Sequence, residues 1–254
     1  MSAATVIPFR TRASNEALAP EAPRVVAAFS AALLRSPSKP NGIAACVGYL
    51  QEDSALVPGR QMGMRALQNL RVSLFSAPGR EAEMSLLWRE ALATACYARV
   101  VAVLAHFDAP LLTGAGLLHR AGEIAALRAL AQAERDEGQR LVGPVMQEIL
   151  NARDDELVAR VTRCWMLPCE LRLLVMRWRE EQEMLRRPES VSLLTMAQAF
   201  ATELVHAATC TPGLVDAARG AMNFPVALVE RVRAATPGIN ALLEQLAPLQ
   251  PQED

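Results

Sequence analysis

In "GLLHRAGEIAALRAL", residues 116 to 130, a histidine is followed directly by an arginine inside an otherwise apolar run. A histidine ring nitrogen can ligate a metal or carry a proton. Arg120 can do neither: a guanidinium has five donors, offers no lone pair and keeps its proton. Glu123 lies four residues after His119, so on a continuous helix the two share a face. The only other histidines are His106 and His206, and neither setting predicts convergence on His119. His106 closes a helix, where a cationic ring suits the negative end of the dipole, and His206 lies in an apolar helix. Both are read as partnered structural residues.

Other residue types that carry chemistry lack a supporting pattern. "RWREEQEMLRRPE" holds Arg177, Arg179, Arg186 and Arg187, which could grip a phosphate or a cyclic dinucleotide. Glu180, Glu181, Glu183 and Glu189 are interleaved with them, and that mixture predicts a solvated helix face. The five cysteines, Cys46, Cys96, Cys164, Cys169 and Cys210, form no C-x-x-C pair. They are expected to be reduced and mostly buried, as small hydrophobes. Trp88, Trp165 and Trp178 sit in apolar helices and are assigned to the core or to groove walls. No serine stands in helical phase with a histidine, so a Ser-His-Asp triad has no support. "GAG" at 114–116 precedes a helix but lacks the strand and lysine of a nucleotide loop.

The composition narrows the partners. Net charge is −1 and aromatics make up 4% of 254 residues, so neither a basic field nor stacking platforms favour nucleic acid. Basic residues are almost all arginine, Lys39 being the lone lysine. No window reaches the ~18 uninterrupted apolar residues that span a bilayer. Hydrophobic residues at 52% and charged residues at 21% are those of a globular core with a polar surface. A cytoplasmic chain is expected, with no membrane contact and no cofactor.

The elements that must position these residues are helices. Residues 1–22 read as a flexible leader, and 23–250 as one helical domain. "PEAPRVVAAFSAALLRS" and "IAACVGYL" carry helical stripes, as does "RALQNLRVSLF" with Leu67, Leu70 and Leu74. "AEMSLLWREALATACYARVVAVLAHF" predicts a long helix ending near His106. "DAPLLTGAGLLHRAGEIAALRALAQAERDEG" starts at Pro110, as a short helix and then a longer one. "PVMQEILNA", "DDELVARVTRCWM" and "LPCELRLLVMRWREEQEMLRR" follow, the last opening with Pro168 at the first helical position. "VSLLTMAQAFATELVHAAT" is apolar nearly all round and predicts a buried helix. Three proline-started helices finish the chain. No alternating strand pattern appears, so the fold class is all-α.

"GAGLLHRAGEIAAL" resembles the Gly-Leu-Leu-His-Asp-Ile-Gly signature of the HD superfamily, and more narrowly of the HDOD family of bacterial signalling proteins. "LLWREALATACYARVVA" is similar to that family's Leu-Trp-Arg-His-Ser helix. "DDELVARVTRCWMLPCELRLLVMRW" resembles its His-to-Trp-x-Leu-Pro segment, which runs on to a His-His pair. The three lie in order and register, and the likeness is best over 64–182, with further helices at 190–248. Arg71 stands where the family tends to have glycine.

The resemblance implies where HD phosphohydrolases hold their metals. The upstream histidine falls on Glu90, and the His-Asp doublet on His119 and Arg120. The histidine before Trp-x-Leu-Pro falls near Asp154, and the terminal pair on Trp178 and Arg179. Only His119 keeps its identity. These positions are therefore read as vestigial, with Arg120 paired to Glu123 or Glu90 where a metal would have bridged. The resemblance thus implies a signalling or regulatory scaffold that binds protein partners and has no catalysis. Two alternatives stand beside it. One is a metal-dependent phosphohydrolase of nucleotides or cyclic dinucleotides, with a rearranged site of His119, Glu123, Glu90 and Asp154. The other is a cyclic-nucleotide sensor using the arginine-rich helix. Oligomeric state is not legible.

Overall fold

The structure is a computed structural model and describes residues 61–138, 140, 154–178, 188–207 and 213–246. Among these, ten helices and no strand are found. They are α1 (Gln61–Leu74), α2 (Glu81–Leu104), α3 (Ala109–Leu118), α4 (Ala121–Glu137), α5 (Asp154–Cys164), α6 (Cys169–Arg177), α7 (Glu189–Val205), α8 (Leu214–Met222), α9 (Val226–Arg233) and α10 (Thr236–Gln245). The expected leader at 1–22, the helices at 23–36, 43–50 and 144–152, and residues 179–187 lie outside the described residues.

α2 is the axis of the fold. Its middle, "EALATACYA" over residues 90–98, is buried on every side. Small side chains make that possible, because alanine lets neighbouring backbones approach while removing apolar surface from water. α3 and α7 cover α2 most extensively, and α4, α9 and α10 also touch it. Aromatic contacts pin the layers: Phe75 meets Trp88 edge-on at 5.0 Å, and Tyr97 stacks on Phe200 at 5.2 Å. The Tyr97 hydroxyl also shares a 2.8 Å hydrogen bond with Thr236 at the start of α10.

Polar clamps close the ends of the bundle. Arg80, buried just before α2, donates to Glu134 of α4 through Nε at 3.0 Å and through Nη2, and to Glu83 at 2.8 Å. Arg71 donates to the Leu246 carbonyl at 2.9 Å, fastening α1 to the end of α10. Arg128 of α4 reaches back to the Ser73 carbonyl at 3.0 Å.

Several sequence expectations need adjustment. Pro168 is the N-cap of α6 rather than its first residue, and α7 begins at Glu189 rather than after Ser190. Cys96 is buried, and burial pushes its thiol up to about 12. Cys164 and Cys169, by contrast, are exposed. They flank the turn between α5 and α6, outside the faces set by Val158, Val161 and Trp165 and by Leu171, Leu174 and Val175. Leu67, Leu70 and Leu74 are fully buried, as their spacing predicts.

Candidate functional site

The His119–Arg120 doublet is the link between two helices. Asp108 starts α3 by accepting from the Leu111 N–H at 2.9 Å, with Pro110 in the first turn. α3 ends at Leu118, His119 is its C-cap, and Arg120 is the N-cap of α4. The shared helix face expected for His119 and Glu123 is broken by this link. The pair that forms instead is Arg120 with Glu123, three residues apart across the first turn of α4.

Gly116 sets the height of the doublet above α2. A Cβ on Gly116 would lie 2.6 Å from Ala95 Cα and 2.7 Å from Ala95 N, both backbone atoms. Only a hydrogen fits there, so α3 sits down on α2 and brings the link over Glu90. The Gly116 carbonyl accepts from His119 Nδ1 at 2.7 Å, which places a proton on that nitrogen. His119 is buried to 1% exposure.

Four charged or polar side chains meet above α2. Arg120 Nη1 contacts Glu90 Oε2, and Arg120 Nη2 lies 2.6 Å from Glu123 Oε2. The other Glu90 oxygen, Oε1, is met by His206 Nε2. Glu90 therefore has both oxygens engaged while its side chain is only 10% exposed. Burial lowers the His206 pKa below its ordinary 6.5, and the Arg120 charge adds to that. Neutral His206 thus donates its Nε2–H to a carboxylate whose charge Arg120 already balances. Trp178, the C-cap of α6, roofs the doublet: its indole N–H donates to the His119 carbonyl at 2.6 Å. Its ring meets the His119 ring edge-on at 4.9 Å.

The structure thus brings Glu90, His119, Arg120, Glu123 and Trp178 together. It adds His206, which sequence reasoning left inside an apolar helix. His206 is in fact the C-cap of α7, where the chain turns and frees the ring to reach α2. A helix-end position was the available signal. Asp154 opens α5, but its side chain is outside the described residues, as are Arg179, Arg186 and Arg187. Arg177 is exposed on the last turn of α6. Among the described residues, no three His, Cys, Asp or Glu side chains form a group able to hold a metal ion.

A helical bundle wound about one buried helix, with a His-led link seated on that helix, has the HD-like architecture. A protein of Shewanella amazonensis SB2B, provisionally named a metal-dependent phosphohydrolase, shares this fold with a TM-score of 0.51. The likeness covers 87% of this chain and 92% of that one at 14% identity, and so speaks to fold alone. Residues 61–180, just under half of the chain, match the HDOD domain. Comparison with the curated proteins gives no match. No helix among the described residues is long and apolar enough to cross a membrane.

Proposed function

We propose that this chain is a non-catalytic signalling or regulatory scaffold, built on an HDOD domain and acting by binding protein partners. The observation that carries the reading is Arg120 lying between the Glu90 and Glu123 carboxylates. Hydrolysis of a phosphate ester in a metal-dependent site needs a cation that polarises the phosphate and activates water. Arg120 puts a fixed positive charge where that cation would need an anionic ligand, and it consumes the nearby carboxylates. Burying the Glu90 carboxylate without a counter-charge costs several kcal/mol, on the order of 3–5 for one broken buried pair, so the guanidinium also stabilises the link. The gathered side chains do not fit a divalent cation, because Arg120 already engages both Glu90 and Glu123.

The competing reading, a metal-dependent phosphohydrolase, draws support from the name given to the Shewanella amazonensis relative. A hydrolysis assay separates the two. Purified protein is incubated with bis(p-nitrophenyl) phosphate and with cyclic dinucleotides, in the presence of Mn²⁺, Fe²⁺ or Mg²⁺. No turnover above a heat-inactivated control is expected. Metal-dependent turnover that disappears in His119→Ala would overturn the proposal.

A further inference from the structure

The outer face of α6 exposes a line of apolar side chains. Cys169, Leu173 and Met176 recur at i, i+4 and i+7, which places them in one line along the helix. Leu173 is 42% exposed and Met176 37%, and Met166, in the turn leading into α6, is 79% exposed. The opposite face, Leu171, Leu174 and Val175, is buried in the core. α6 therefore has two apolar faces, of which the described fold uses one. Arg172 and Arg177 flank the exposed seam on its two sides by helical geometry. The stretch 158–177 carries four arginines and a single glutamate, Glu170.

Three of these arginines make no ion pair among the described residues. Arg172 contacts the Cys169 sulfur at 3.8 Å, and Arg163 donates to the Ala159 carbonyl at 3.1 Å. Arg177 has neither a hydrogen bond nor an ion pair through its side chain to any described residue. Unbranched methionine side chains adapt to the shape of whatever covers them. An apolar seam with a cationic rim selects a partner of the opposite pattern.

We infer that the outer face of α6 is a docking surface for an amphipathic helix of a different protein, one whose apolar stripe is flanked by acidic residues. The inference rests on the scaffold reading and gives the partner its chemistry. A second copy of this chain is disfavoured, because an isologous contact would set Arg172 and Arg177 against their own copies. An anionic membrane is disfavoured because the described seam carries no exposed aromatic anchor. Trp165 is buried, and Trp178 is turned onto His119. α6 also adjoins the centre through the side opposite the seam, where Trp178, directly after the helix, bonds the residue before Arg120.

The test uses the full chain and a fluorescein-labelled synthetic helix of about five turns with a Leu/Met stripe flanked by glutamates. Its twin carries lysines in place of the glutamates. Fluorescence anisotropy should show the acidic peptide binding at least about tenfold more tightly than the basic one. Leu173→Glu and Met176→Glu, both at exposed positions, should each weaken the acidic peptide about tenfold, the loss expected for one apolar contact. The double variant Arg172→Glu/Arg177→Glu should reverse the preference between the peptides. Circular dichroism melts establish that each variant is folded. Equal affinity for both peptides, no binding, insensitivity to Leu173→Glu, or binding only to vesicles of phosphatidylglycerol and phosphatidylcholine would overturn the inference. The hydrolysis assay on the same preparation is independent: a silent peptide with no turnover removes the docking surface and leaves the scaffold reading standing.

Discussion

Arg120 joins α2, the α3–α4 link and α4, and its removal exposes what that junction costs. Arg120→Met leaves Glu90 buried with only neutral His206 as partner, and urea unfolding should show a loss of about 3 kcal/mol. Arg120→Lys keeps the charge but not the fork that reaches both carboxylates, so a smaller loss, about 1 kcal/mol, is expected. The chemistry of this residue was legible in the sequence, because no neighbour alters what a guanidinium can do. Its two partners were legible as alternatives, and the structure shows it touching both. The role of His206 was not legible, since 116 residues separate it from Glu90 and no local spacing joins them. Its titration gives a further expectation. Its folded pKa is depressed, so the folded state binds protons less readily than the unfolded chain below the ordinary value of 6.5. The His206 contribution is therefore full above that pH and is lost as pH falls toward the lower folded value. Thermal unfolding midpoints of the wild type should drop across that window more steeply than those of His206→Gln. Parallel curves would contradict the assignment of a neutral His206.

Elements are held at separations that two glycines distinguish. Gly116 lies against the backbone of Ala95, and a methyl group there must push α3 off α2. Gly116→Ala should cost about 3 kcal/mol in urea unfolding, at the upper end of overpacking changes. Gly220, in α8, has open space where a methyl group would sit, with nothing within 4 Å. Gly220→Ala should stabilise by about 0.5–1 kcal/mol through helix propensity alone. Helix ends add a second contrast. α5 closes with Met166 at φ 53°, its N–H bonded to the Arg163 carbonyl and the Leu167 N–H to the Thr162 carbonyl. His106 and Asn223 close α2 and α8 in the same left-handed conformation. Glycine suits that conformation better than methionine, so Met166→Gly should raise the melting temperature by an amount equivalent to roughly 0.5–1 kcal/mol. Sequence periodicity found the helices, because a stripe such as Leu67, Leu70 and Leu74 is local information. It placed the ends of α2 and α5 near His106 and Met166 but not their left-handed conformation, which His and Met side chains do not signal, and it expected burial for Cys164 and Cys169, whose exposure is set by packing neighbours.

Across the whole molecule, clamps between distant segments tie the bundle together. Arg80 ties α2 to α4, Arg71 ties α1 to α10, and Arg120 with His206 ties the α3–α4 link and α7 to α2. On the proposed reading Arg120 takes the place of a metal in the central clamp, so unfolding should be indifferent to chelator. The Glu83 carboxyl, although burial works to raise it, is held below its usual value by the hydrogen bond from Arg80. That stabilisation is present above the ordinary carboxylate range and is lost as pH falls through the lower folded value. The all-α class was legible because helical stripes are local pattern, and the HD-like order of segments was legible through the resemblance of three motifs over 64–182. The resemblance placed Glu90, His119, Arg120 and Trp178 at one centre, but the joining of His206 was not legible, since it depends on α7 ending beside Glu90. The most direct measurement is metal content by mass spectrometry after equilibration with Mn²⁺ and dialysis. The wild type is predicted to retain well under one ion per chain. A stoichiometric ion that is lost in His119→Ala would contradict the account.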